Sequence, residues 1–159
     1  MTLAGHLVVA ITIIFALGLG SMPVGQPFVH LWPDWVLLTL TYWSLAAPNR
    51  YGMGLAFIAG IFQDVATATL LGVHAFVYVL AIYLVVENHL RIRILHLWGQ
   101  TLVVFLIALG SAVFQLGVAG ISEAWLPNVW ALIPPVTTAL LWAPIFLFLR
   151  RLRQRFQID

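Results

Sequence analysis

Cysteine and lysine are both absent from this 159-residue sequence. Without cysteine, no disulfide or thiolate metal site can form, and the redox compartment leaves no mark. All seven of its basic residues are arginine, and charged residues make up 8% of the chain against 63% hydrophobic, with mean hydropathy +1.05. A soluble domain carries about 25% charged residues, so this chain cannot clothe a globule in polar groups. The net charge of +2 is small, and the arginines cluster beside apolar segments, so a pI near 9.5 is not a nucleic-acid footprint.

What is present is a succession of apolar runs, at about 3–22, 32–47, 52–69, 71–88, 98–121 and 129–149. Their length and recurrence predict a single all-α membrane domain over 1–159, a bundle of about six transmembrane helices followed by a basic tail at 150–159. Several runs are shorter than the ~20 residues of a perpendicular span and must extend into their flanks or sit in thinned bilayer. The opening "MTLAGHLVVAITIIFALGLG" lacks the basic leader of an export signal and is expected to stay as the first helix. "APNRYG" reads as a tight turn, and "TLLGV" is barely a loop, which makes helices three and four antiparallel neighbours. "ENHLRIRILHLW" is amphipathic and is placed at the interface. "IPPV" marks a break or a helix start, since each proline disfavours helical geometry in the residue before it.

With six helices, the connections alternate sides. Arg50, Arg91, Arg93, Arg150, Arg151, Arg153 and Arg155 then share one face with the N-terminus, while Asp34 and Glu123 lie on the other. Positive charge marks the cytoplasm, so both termini are expected there, with the tail against anionic headgroups. Glu87 and Arg91 have the i,i+4 spacing of a helical ion pair. Trp32, Trp35, Trp98, Trp125 and Trp130 lie near segment ends, as an interfacial belt does.

One carboxylate, Asp64, interrupts an otherwise apolar run. Gly52, Ala56, Gly60 and Asp64 recur every four residues and form a slowly drifting stripe, turning about 40° per step. Three of these are small, so another helix can approach closely, and Asp64 is expected at a protein seam with Leu55, Phe62 and Val65 on the reverse side. Asp34, opening helix two, and His74, opening helix four, fall at the same outer level. The expected role for Asp64 is a buried hydrogen-bonding group tying helix three to helix two or four. A partner seam and a ligand or catalytic site are the alternatives. Asp64→Asn is expected to be largely tolerated and Asp64→Leu to be damaging.

No chemistry-bearing motif appears. There is no Gly-rich phosphate loop, "HExxH" or "GxSxG", and His6, His30, His74, His89 and His96 are scattered without metal-ligand spacing. No cofactor or metal is expected. Asp34 and Asp64 could form a proton-sharing pair only if their carboxyls met, and no pattern says that they do.

The run "WPDWVLLTLTYWSLAAPNRYGMGLAFIAGIFQDVATATLLGVHAF" resembles the MreD family of bacterial rod shape-determining proteins. Pro33, Asp34, Tyr42, Trp43, Pro48, Gly60, Asp64, Leu71 and Gly72 take the matching positions, and the closing "LLWAPIFLFLRRLRQRF" also fits. The likeness covers about residues 30–155. It implies a non-enzymatic inner-membrane scaffold of the cell-elongation machinery, partnered by MreC. Through MreC the scaffold would connect to MreB and to the glycosyltransferase and transpeptidase of lateral wall synthesis. It also implies a fold similar to the substrate-binding subunits of energy-coupling-factor transporters, so a small-ligand or lipid-binding subunit is the runner-up. Candidate structural or partner-interface residues are Pro33, Asp34, Gly52, Ala56, Gly60, Asp64, Gly72 and His74. A scaffold predicts no enclosed cavity, and a binding subunit predicts an outward-open pocket lined by Trp, Tyr and the acids.

Overall fold

A computed structural model describes residues 3–25, 28–123 and 129–157. Trp125 and Pro127 lie outside them, as does Ile158. Seven α-helices occur among the described residues, with no strand: α1 (Leu3–Gly20), α2 (Trp35–Ala46), α3 (Met53–Thr67), α4 (Val73–Glu87), α5 (His89–Ile94), α6 (Leu97–Glu123) and α7 (Ile133–Arg155). Single 3-10 turns at Phe28–Leu31 and Val129–Leu132 lead towards α2 and into α7.

Two helices are long and apolar enough to cross a membrane by length and composition, α6 over Leu97–Gly120 and α7 over Ile133–Arg155. Four others are apolar but shorter. α2 has 12 residues, so it rises only ~18 Å against the ~30 Å of a hydrocarbon core. Ten of those residues are buried. A helix that is apolar all round belongs in a core or in lipid, and α2 lies in the core, packed against α1, α4 and α7, with smaller contacts to α3, α5 and α6. Two of its hydroxyls are matched locally, Thr39 donating to the Trp35 carbonyl at 2.9 Å and Ser44 to the Tyr51 carbonyl at 2.7 Å, while the Trp35 indole N–H is buried without a partner. Trp43, fully buried, donates to Thr12 of α1 at 3.0 Å.

The exterior is apolar. Ile11, Ile14 and Phe15 of α1, Phe57, Ile58, Phe62 and Val65 of α3, Leu102, Leu106 and Val113 of α6, and Leu140 and Phe148 of α7 are all exposed. So large a greasy surface is untenable in water and natural in lipid. Leu55, on the reverse side of the α3 stripe, is half-buried against the core.

α7 begins at Ile133 with the prolines in its first turn, where a missing N–H costs nothing. "IPPV" is therefore a helix start. α5 sits between α4 and α6 with Ile92 turned inward. Its Arg93 does more than face headgroups. Nε donates to the Leu45 carbonyl at 2.7 Å and Nη2 to the carbonyls of Leu45 and Ala46, the latter at 2.9 Å. These are carbonyls that the end of α2 leaves without helical partners. The expected Glu87–Arg91 pair is not formed, because α4 ends at Glu87 and a separate helix starts at His89. The break at Asn88 removes the i,i+4 geometry on which the pair depended.

At the same end of the bundle, Tyr51 of the α2–α3 turn lies 2.9 Å from His6 Nδ1. Burial raises the Tyr51 hydroxyl above the usual phenol range, with the charge of Arg50 opposing. The phenol therefore keeps its proton and can donate it to the imidazole.

Candidate functional site: a carboxylate cap and the cavity beside it

α3 ends in a left-handed residue, Ala68 (φ 52°), and α4 starts after Gly72 at φ 100°. Only glycine takes that second conformation without strain, and glycine brings no side chain to cap the helix that follows. The first N–H groups of α4 are thus left without their usual side-chain acceptor. Asp64, one turn before the end of α3, supplies it from across the loop. Its Oδ2 accepts from Gly72 N at 2.7 Å and Ala75 N at 3.4 Å; its Oδ1 accepts from His74 N at 2.9 Å, His74 Nδ1 at 2.8 Å and Thr69 Oγ1 at 3.1 Å. The carboxylate is completely buried. Every contact to it is a donor, and the N-terminus of α4 adds a favourable field.

The cap works because α3 and α4 touch. A Cβ placed on Gly60 would fall 2.8 Å from the carbonyl carbon of His74 and closer still to the backbone of Ala75. Ala56 and Ala59 are buried on the same side. The small-residue stripe is therefore spent on the chain's own α4. Gly52 closes the other end of the stripe as the residue before α3.

A second carboxylate, Asp34, caps α2: its Oδ1 accepts from Leu37 N at 2.8 Å. The same oxygen accepts from the Tyr78 hydroxyl at 3.0 Å, and the Asp34 N–H donates to Thr138 Oγ1 of α7 at 2.9 Å. Tyr78 lies one turn beyond His74, with the two rings edge to face at 5.7 Å. The polar groups therefore run as one file: Asp64 on α3, His74 and Tyr78 on α4, Asp34 at the head of α2, Thr138 on α7. Asp34, Asp64 and His74 do gather at one level, but the two carboxylates share no hydrogen bond, because His74 and Tyr78 stand between them. Asp64 holds α3 to the start of α4 and makes no bond to α2. Pro33, buried, places Asp34 at the head of α2.

Sequence reasoning missed Tyr78 and Thr138, and it set Gln63 aside as pointing about 100° away from Asp64 around the helix. The i,i+4 spacing of His74 and Tyr78 on one helix could have revealed the first. Nothing in the sequence brings Thr138, 104 positions on, to Asp34.

The file apart from Asp64, which is buried behind it, forms one wall of an open cavity of about 870 Å³ between the ends of α1 and α3, the heads of α2, α4 and α7, and the second half of α6. Trp32, Asp34, His74 and Tyr78 line it with Gln63 and Thr138. Gln63 is buried, its amide lies against Gly20, and its Oε1 has no hydrogen-bond partner. A scaffold is expected to have no enclosed cavity, and this one is open. No group of three or more metal-ligating side chains occurs among the described residues.

An apolar exterior around a packed α2, with the buried carboxylates at helix ends, defines an all-helical membrane protein. Comparison with known proteins is specific. The family model "rod shape-determining protein MreD" matches residues 1–152. The rod shape-determining protein MreD of Haemophilus influenzae is 34% identical over 150 residues, 92% of this chain and 89% of that protein. The chain belongs to the MreD family, and that membership supports a role in rod-shape determination. No solved structure matches it.

Proposed function

We propose that this chain is a non-enzymatic scaffold of the bacterial cell-elongation complex, a six-span protein of the inner membrane with both termini in the cytoplasm. MreC is its partner. Through MreC it helps organise MreB and the glycosyltransferase and transpeptidase of lateral wall synthesis. The observation that carries this reading is how its acids are used. Asp64 spends its carboxylate on capping α4, and Asp34 spends Oδ1 on capping α2 and on Tyr78. An acid–base pair needs carboxyls that can exchange protons with a substrate, whereas these two hold helix ends in place. Co-purification of MreC from solubilised membranes tests the proposal, and failure to recover MreC with the intact chain would overturn it.

The cavity favours a second reading, a small-molecule or lipid-binding subunit related in fold to the substrate-binding subunits of energy-coupling-factor transporters. It opens among Trp32, Tyr78 and Asp34 as such a pocket should. Mass spectrometry of what the purified chain retains separates the two readings.

A further inference from the structure

We infer that the cavity takes an amphiphile whose head donates several hydrogen bonds and carries no phosphate or carboxylate. This rests on the ligand-binding reading above and names its ligand class.

The wall is rich in acceptors. Asp34 presents a carboxylate, and the Tyr78 hydroxyl already donates its hydrogen bond to Asp34. Ser111 already donates to the Ile107 carbonyl at 2.9 Å, and Thr67 to the Gln63 carbonyl at 2.8 Å. What these hydroxyls have left to offer is oxygen lone pairs. Gln63, 5% exposed, adds an Oε1 without a partner. No arginine lines the cavity, and the chain has no lysine. A phosphate head would meet a carboxylate and a row of oxygens with no arginine or lysine to offset them; of the two lining histidines, His74 is already committed to Asp64, which leaves His30 alone against them. A polyhydroxylated neutral head would find acceptors for its donors. An apolar body is implied by the cavity's other lining, Leu70, Val73, Leu116 and Val118 among it, in a chain whose exterior already meets lipid.

The test uses the full chain in bilayer discs, with native mass spectrometry of what remains bound on release. Two probes are offered at equal mole fraction, a monoglucosyl diacylglycerol and dioleoylphosphatidylglycerol. The latter carries hydroxyl donors and a phosphate. Free glucose is a third arm. The expected result is retention of the glucosyl lipid over the phospholipid by about tenfold or more, the worth of one or two satisfied hydrogen bonds. Glucose alone should not bind. Gln63→Leu and Ser111→Ala should each weaken retention several-fold. Ser111→Ala serves as the variant that keeps the fold, since it removes only a bond back to its own helix. Equal or greater retention of phosphatidylglycerol would overturn the inference while leaving a ligand-binding cavity. Binding of glucose as tightly as of its lipid would overturn the amphiphile. Retention of no lipid, with the cavity shielded from labelling only when MreC is present, would overturn both this inference and the ligand-binding reading.

Discussion

Asp64 meets five donors and no acceptor, and that asymmetry sets what its replacements do. Leucine leaves the first N–H groups of α4 buried without partners, so Asp64→Leu should lose about 1–3 kcal/mol or more. Asparagine keeps one oxygen, but its NH₂ must point either at Gly72 N or at the His74 and Thr69 donors. The geometry therefore revises the expectation of near-full tolerance: Asp64→Asn should fall between wild type and Asp64→Leu in thermal unfolding of the purified protein. An Asn variant as stable as wild type would show that the Oδ2 contacts contribute little. Gly60 is equally sharp. Gly60→Ala already drives a methyl into the α4 backbone and should cost about 1–3 kcal/mol. Gly110→Ala on α6 meets nothing within 4 Å and should be neutral or stabilising by about 0.5–1 kcal/mol. Equal unfolding temperatures for the two variants would place the close approach elsewhere.

At the scale of elements, the helix ends carry the specificity. Apolar runs give each long helix its existence, and every one of the six runs contains a helix. Their relations come from a few polar atoms: Asp64 across the α3–α4 loop, Asp34 on α2 and Thr138 on α7, Arg93 on the last carbonyls of α2. The stripe Gly52, Ala56, Gly60, Asp64 was legible because its period is that of the helix. Three of the five donors to Asp64 were not, because they are backbone N–H groups that exist as free donors only once Gly72 takes φ 100°. The break at Asn88 was legible as the end of the 71–88 run, and the spacing of Glu87 and Arg91 misled only by reading one helix across it. Arg93→Gln should loosen α5 from α2. The check is faster amide exchange at Ile92 and Leu95, and unchanged exchange there would remove the capping role. Replacing Arg150, Arg151, Arg153 and Arg155 with glutamine should reduce membrane insertion without inverting the protein, since Arg50, Arg91 and Arg93 remain. Unchanged membrane levels and function would show the tail to be dispensable.

At the scale of the molecule, composition alone pointed to lipid as the solvent, and the exposed Phe, Ile and Leu side chains on α1, α3, α6 and α7 give that reading its surface. The cavity was not legible, because it is a space between the ends of six helices that no periodicity encodes. Reporter fusions at the C-terminus should give a cytoplasmic signal, and fusions near Pro127 a periplasmic one; a periplasmic C-terminus would end the six-span proposal. If MreC is the partner proposed above, the Asp64 file holds the bundle in the shape that it recognises, and this is the account's central claim. The measurement that tests it most directly is the amount of MreC recovered with wild type, Asp64→Asn and Asp64→Leu from solubilised membranes, read beside the unfolding temperature and the rod shape of the cells. The expected result is full recovery with wild type, partial recovery with Asn and little with Leu, in step with stability and shape. An Asn variant that is stable, fully bound to MreC and yet unable to support rod shape would contradict the account, because the carboxylate would then be needed for chemistry that capping does not supply.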